Sequence, residues 1–175
     1  MKKIYLITSF TGTILSRIVR VYTQTNHSHV SISLDKELNQ MYSFGRLNPY
    51  NAFIGGLVHE HPKKGTFKRF KNTTCEIYEL EITDNQYKSL EYHIKYIEMH
   101  KKDYKFNIKG LFATSIQIKI KKEYQFYCAE FVKYVLEKSN IDLNLPDLIK
   151  PQDFTKIEGT KKIYEGLLRE YYESN

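Results

Sequence analysis

The most regular pattern in the chain is a strict alternation of apolar and polar residues over 28–34, SHVSISL. Val30, Ile32 and Leu34 share one face of this stretch, and His29 with Ser31 lies on the other. Alternation with a period of two is typical of a half-buried strand. After the turn-like residues DKELN, the stretch 40–46, QMYSFGR, predicts a second strand. Together the two stretches predict a β-hairpin.

The same alternation predicts the register of that hairpin. Pairing Ile32 with Tyr42 places the apolar residues of both strands on one face, whereas a slip of one residue would mix the faces. In this register His29 lies opposite Gly45. The imidazole then projects from the end of a strand beside a residue with no side chain, which leaves room for a helix terminus or a substrate.

The remaining patterns predict an α+β domain in which a mainly antiparallel sheet packs against helices. Asp84 is the expected cap of its helix, and paired glycines mark the expected loop at 48–56. Residues 107–120 stay ambiguous, and 160–172 fit either a helix or a small hairpin. The expected strands are 3–9, 28–34, 40–46, 65–71 and 75–83, and the expected helices are 11–24, 84–103 and about 127–139.

The overall composition favours one folded domain, 1–175. Hydrophobic residues make up 41% of the 175 residues, which is too apolar for a disordered chain. The start of the chain lacks an uninterrupted apolar run, so we expect no signal peptide, no transmembrane segment and a cytoplasmic location. The net charge is +7, but the lysines are scattered in pairs. This spacing favours a solvated surface over a nucleic-acid partner, and leaves contact with a membrane surface open.

Cys128 begins the apolar stripe of the predicted helix at 127–139. Phe131, Val132, Val135 and Leu136 continue that stripe at helical spacing. A thiol in the first turn lies beside backbone N–H groups that have no helical partner, and the helix dipole there favours a thiolate. The same position suits a buried core thiol, so the helix alone leaves both interpretations open. Cys75 lies within a predicted strand, and we interpret it as structural.

A cysteine nucleophile needs a base, and His29 is the preferred candidate among six histidines. His27 is the alternative, but it precedes the regular part of the strand. His59 and His61 form an H-x-H pair without a third ligand at a known spacing, so we expect no metal. Neither a metal nor an organic cofactor is needed for thiol chemistry.

Two short motifs resemble the circularly permuted, YiiX-like branch of the NlpC/P60 superfamily of papain-like cysteine hydrolases. The first is a histidine that opens a strand, His29-Val30-Ser31-Ile32, and the second is an aromatic residue followed by cysteine at a helix start, 127–132, YCAEFV. His29 precedes Cys128, which is the permuted order. The resemblance covers roughly residues 4–158. It implies a papain-like core with circularly permuted topology.

The resemblance also implies a thioester mechanism in which His29 activates Cys128 and a third polar residue orients His29. The corresponding position looks like Ser43, which carries no charge to stabilise an imidazolium. Asn48 and Glu60 are the alternatives. The implied substrates are small acyl-amide or lipid-like molecules, cleaved or transferred by an amidase-like or thioesterase-like reaction. A catalytically silent domain that binds an acyl or lipid ligand is the alternative function, and a basic nucleic-acid-binding module is a third.

Overall fold

The structure is a computed structural model that describes residues 1–13, 16–17, 20–21, 26–48, 51–115, 118 and 123–174. Strands dominate the first half of the chain and helices the second. The strands are β1 (Lys2–Phe10), β2 (His29–Ser33), β3 (Met41–Asn48), β4 (Asn51–Glu60), β5 (Thr74–Ile82), β6 (Lys105–Phe106), β7 (Gln125–Phe126) and β8 (Thr160–Leu167). The α-helices are α1 (Gly65–Arg69), α2 (Asp84–Met99), α3 (Ile108–Ser115), α4 (Cys128–Lys138) and α5 (Leu168–Ser174), and a 3-10 helix covers Pro151–Thr155.

Six of the strands form one antiparallel sheet in the order β4-β3-β2-β1-β5-β8. The short strands β6 and β7 pair in parallel beside it. The predicted α+β class with a mainly antiparallel sheet is therefore confirmed. The register predicted for the hairpin is confirmed as well, because Ile32 pairs with Tyr42 and Ser33 with Met41.

Helix α4 packs on the face of the sheet that carries the alternating apolar residues. Val30, Ile32 and Phe44 are fully buried there, and the rings of Phe44 and Phe131 lie 5.2 Å apart between centroids. A smaller apolar cluster that includes Ile7 and Ile77 covers the opposite face. The sheet is thus buried on both sides, and the buried stripe of α4 fixes where its first residue, Cys128, comes to lie.

The expected loop at 48–56 is wrong, because most of it belongs to β4. Gly55 and Gly56 lie inside the β3–β4 ladder, where Gly56 pairs with Gly45. A Cβ at position 55 would lie only 2.7 Å from the ring of Phe106 and 2.8 Å from the carbonyl oxygen of Gly45. Close packing, rather than a turn, explains that glycine.

The expected strand at 65–71 is also wrong, because Gly65–Arg69 is helix α1. Its apolar side chain, Phe67, is buried, and the basic residues Lys68 and Arg69 lie in its last turn. Basic side chains at that end interact favourably with the helix dipole. Alternation over so few residues did not distinguish a strand from a single helical turn.

The remaining predicted strands and helices match the expectations with shifted ends, whereas the tail differs. Helix α2 begins one residue after Thr83, which forms a capping box with Gln86, so Thr83 rather than Asp84 is the cap. The tail is strand β8, paired with β5, followed by α5, instead of one helix or a hairpin.

Three predicted regions fall partly outside the described residues, the first being the expected loop at 48–56, of which 49 and 50 are not described. In the expected helix at 11–24, the described residues 16–17 and 20–21 are helical. The ambiguous stretch at 107–120 contains α3, and all of its later residues except 118 lie outside the described part. Within the described part of the chain, none of the helices has the length and apolar character needed to cross a bilayer.

Candidate active site

Cys128 is the first residue of α4, and the preceding residue anchors that helix start. The hydroxyl of Tyr127 donates to the carbonyl of Ile149 at 2.8 Å, and the amide of Tyr127 donates to the carboxylate of Glu130 at 3.2 Å. Cys128 itself is only 4% exposed. Its backbone N–H lies in the first turn, where no i−4 carbonyl exists to accept it. These two bonds anchor the start of the helix, and the first-turn N–H groups have no partner within the helix.

The imidazole of His29 lies at this helix start. His29 is the first residue of β2, and its side chain is 17% exposed. The side chain of Cys128 lies near enough to the imidazole to raise the pKa of His29. The structure therefore brings together the two residues that the sequence proposed as nucleophile and base.

The other side of the imidazole contacts a carboxylate. The Nε2 atom of His29 lies 2.9 Å from Oε1 of Glu60, the last residue of β4. The side chain of Glu60 is 9% exposed. His29 thus connects a cysteine with a buried carboxylate.

The environment of His29 favours its charged form. Burial alone lowers the pKa of the imidazole, but the negative charge of Glu60 opposes this effect and is helped by the nearby Cys128 side chain and by the hydrogen bond to Glu60. The balance raises the pKa of His29 from 6.5 to about 10. An imidazole with a raised pKa retains a proton that it receives from a thiol.

Gly45 is the small residue beside this pair, as the hairpin register predicted. A Cβ at position 45 would lie 3.4 Å from Cε1 of His29 and 3.5 Å from Oε1 of Glu60. Those distances are ordinary van der Waals contacts, so a methyl group would fill the remaining space. A larger side chain would displace the imidazole or the carboxylate.

Ser43 does not occupy the position expected of a third site residue. Its hydroxyl donates to the carbonyl of Val30 at 2.8 Å and lies in the fully buried part of the sheet. Asn48, one of the two alternatives, pairs with Asn51 where the β3–β4 hairpin closes. The partner of His29 is the other alternative, Glu60. A carboxylate matches an imidazolium better than a hydroxyl, because it supplies the opposite charge.

The other histidines belong to different contacts. Nδ1 of His27 lies 3.2 Å from Oε1 of Gln152. His59 contacts the carbonyl of Asn39 at 2.7 Å, and the amide of Lys63 donates to Nδ1 of His61 at 3.0 Å. Among the described residues, no three or more His, Cys, Asp or Glu side chains are grouped so that they could hold a metal ion.

Cys75 provides a contrast with Cys128. It is 1% exposed and belongs to the smaller apolar cluster on the opposite face of the sheet. Burial, reinforced by the charge of Glu76, raises the pKa of its thiol to about 12. Cys75 therefore stays protonated and unreactive at neutral pH.

The resemblance suggested Ser43 because it lies on the strand after His29, and Glu60 was placed in the loop that follows. Once β4 is recognised as a strand, Glu60 becomes a carboxylate at the end of a buried strand. A buried carboxylate needs a charged or hydrogen-bonding partner, and that requirement was the available signal.

Comparison with models of protein families, with curated proteins and with solved structures finds no match to this chain.

Proposed function

We propose that this protein is a cysteine hydrolase or acyltransferase in which Cys128 is the nucleophile, His29 the base and Glu60 the residue that orients and charges His29. In this proposal the domain is a circularly permuted papain-like fold similar to the YiiX-like branch of the NlpC/P60 superfamily. Support comes from the motif resemblance, the order of His29 before Cys128, and a sheet with a helix that begins at the cysteine.

The position of His29 between a thiol and a carboxylate carries the proposal. The side chain of Cys128 acts on the pKa of the imidazole, and Nε2 of the same ring lies 2.9 Å from Oε1 of Glu60. A buried structural cysteine needs neither partner. A nucleophile, an adjacent base and a third group that orients the base together form the usual arrangement of nucleophilic catalysis.

The first half of the reaction forms a thioester. In the resting enzyme the proton of the Cys128 thiol is held by His29, and the carboxylate of Glu60 stabilises this imidazolium. The thiolate attacks the carbonyl carbon of an amide, ester or thioester, and the oxygen becomes negatively charged. The backbone N–H of Cys128, at the positive end of the α4 dipole, donates to that oxygen. His29 then gives its proton to the leaving group as the bond to the carbonyl breaks.

The second half returns the enzyme to its starting state. His29 removes a proton from water or from an acceptor hydroxyl or amine, and this nucleophile attacks the thioester. The sulfur leaves as a thiolate, and His29 keeps the proton that it removed from the nucleophile. Water gives hydrolysis and another acceptor gives acyl transfer, so both outcomes use the same three residues.

The resemblance suggests a small acyl-amide or lipid-like substrate. The alternative of a silent ligand-binding domain was motivated by Ser43, which lacks the charge to support His29. The carboxylate of Glu60 beside His29 supplies that charge, and it favours catalysis over silent binding.

Trapping of the acyl-enzyme tests the proposal. The native protein is mixed with a panel of p-nitrophenyl esters of increasing chain length, quenched in acid and examined by intact and peptide mass spectrometry. We expect one acyl group on Cys128 in the wild-type protein and in Cys75→Ala, and none on that residue in Cys128→Ala. His29→Ala should slow acylation at least 100-fold. Acylation equally fast in His29→Ala, or equally frequent on surface lysines, would contradict the proposal.

A further inference from the structure

The second carboxylate oxygen of Glu60 is also occupied. Ser31, two residues after His29 on β2, directs its hydroxyl at Oε2 of Glu60 with an oxygen–oxygen distance of 2.5 Å. Ser31 is fully buried. The two oxygens of one carboxylate therefore have separate partners, with Oε1 facing His29 and Oε2 facing Ser31.

We propose that Ser31 is a positioning residue that fixes the plane of the Glu60 carboxylate, so that Oε1 stays directed at His29. The inference rests on the proposed function, and it adds a fourth residue to the row Cys128–His29–Glu60. Ser31 transfers no proton and contacts no substrate. Its effect on the chemistry passes through Glu60 alone.

The need for such a residue follows from the side chain of glutamate. Rotation about the terminal bond of glutamate is soft, so a carboxylate anchored through one oxygen turns easily. Glu60 lies on β4 and reaches His29 on β2 although β3 lies between them. A long side chain that spans a neighbouring strand is poorly fixed by its own backbone. Ser31 is the second anchor of this carboxylate. Because Ser31 lies on the same strand as His29, it holds the carboxylate in a fixed position relative to the imidazole.

Ser31 is itself rigidly placed. Its backbone pairs with Ile7 in the β1–β2 ladder, in the middle of the six-stranded sheet. A serine side chain has a single heavy-atom torsion, so its ordering costs little entropy. A hydroxyl also donates without adding charge, and the negative charge of Glu60 remains available to His29.

Two other serines of the same hairpin show that this contact is particular to Ser31. The hydroxyl of Ser33 donates to the carbonyl of Asp35, and that of Ser43 donates to the carbonyl of Val30. Both contacts are to backbone, whereas Ser31 contacts the carboxylate that faces His29. Ser43→Ala is therefore a matched control, because it removes a buried hydroxyl from the adjacent strand without touching Glu60.

The first test follows the titration of His29 by NMR with histidine labelled at its ring atoms. Ser31→Ala should lower the pKa of His29 by about one unit, because the freed carboxylate turns away from the imidazole for part of the time. Ser43→Ala should leave the titration within about 0.2 units of wild type. An unchanged His29 titration in Ser31→Ala, with the fold intact by circular dichroism, would overturn the proposal. This readout needs no turnover, so it remains informative if the proposed reaction fails.

The second test is a double-mutant cycle on the rate at which iodoacetamide alkylates Cys128 at pH 7. Ser31→Ala should slow alkylation about three- to tenfold in the wild-type background and have no further effect in Glu60→Gln. Ser31→Thr, which keeps the hydroxyl, should recover most of the rate. An equal loss in both backgrounds would show a role that does not pass through Glu60. If Cys128 is no more reactive than Cys75 in the wild-type protein, the proposed function fails, and the titration alone decides the role of Ser31.

Discussion

Nε2 of His29 lies 2.9 Å from Oε1 of Glu60, although the two residues belong to strands that are not neighbours in the sheet. The carboxylate passes the intervening strand at Gly45, where the absence of a side chain leaves the space it needs. This contact supplies the negative charge that holds the imidazole in its protonated form. The side chain of Cys128 also raises the pKa of the same imidazole, so the two motifs of the sequence meet at His29.

Replacement of Glu60 by glutamine removes the charge and keeps the shape of the side chain. We expect Glu60→Gln to slow alkylation of Cys128 at pH 7 about tenfold or more, because the imidazolium loses about 1.4 kcal/mol or more of stabilisation. Glu81→Gln, at a carboxylate that is 56% exposed, is the control and should leave the rate unchanged. A Glu60→Gln protein that is alkylated as fast as wild type would remove Glu60 from the mechanism.

Substitutions at Gly45 test whether the side chain of Glu60 needs the space beside β3 to reach His29. Alanine fits, since its Cβ would lie 3.4 Å from His29 and 3.5 Å from Glu60, so Gly45→Ala should keep most of the Cys128 reactivity. Gly45→Val adds atoms beyond that limit and should lower the reactivity at least tenfold. Gly56→Val on the paired strand is the control, because it points at the exposed side chain of Leu47, which has room to move. Equal effects of the two valines would indicate general damage to the hairpin.

The pKa values of His29 and His61 should lie on opposite sides of 6.5, the ordinary value for histidine. The pKa of His29 is raised to about 10, whereas burial, helped by the charge of Lys64, lowers the pKa of His61 below 6.5. An NMR titration, assigned with His29→Gln, should therefore show His29 charged and His61 neutral at pH 8. Because its pKa is higher in the folded state, protonation of His29 stabilises the fold fully below about pH 6.5 and ceases to do so as the pH rises towards 10. A His29 signal that titrates at or below 6.5 would contradict the described contact with Glu60.

Tyr127 anchors the start of α4 but takes no part in the proposed chemistry. Tyr127→Phe leaves the buried carbonyl of Ile149 without the hydroxyl that now donates to it at 2.8 Å. We expect the free energy of unfolding in urea to fall by about 1–2 kcal/mol, while alkylation of Cys128 in the folded protein changes less than about threefold. Tyr124→Phe, at a side chain that is 53% exposed, should change neither quantity.

The elements with long, regular patterns were predictable from the sequence. The alternation of β2 gave its faces and its register with β3, and the apolar stripe that begins at Cys128 gave α4. Both patterns arise because a buried face imposes its period on the chain over many residues. The juxtaposition of His29 with Gly45 followed from that register alone.

The same patterns could not predict that Glu60 is the partner of His29. The glycines of β4 suggested a loop, since a sequence does not show that Phe106 packs where a side chain would otherwise stand. Without β4, Glu60 had no defined position, and Ser43 was chosen because the resemblance places the third residue on the strand after His29. A contact between non-neighbouring strands depends on tertiary packing, and no local period encodes it.

The most direct test of the account measures alkylation of Cys128 and Cys75 in the same native protein. Limiting iodoacetamide is applied across pH 5–9, and each modified cysteine is quantified by peptide mass spectrometry. We expect Cys128 to react at least 100-fold faster than Cys75 at pH 7, to remain reactive near pH 6, and to be slowed at least tenfold in His29→Ala. Equal rates for the two cysteines, or alkylation of Cys128 that begins only above about pH 8 as for an ordinary thiol, would contradict it.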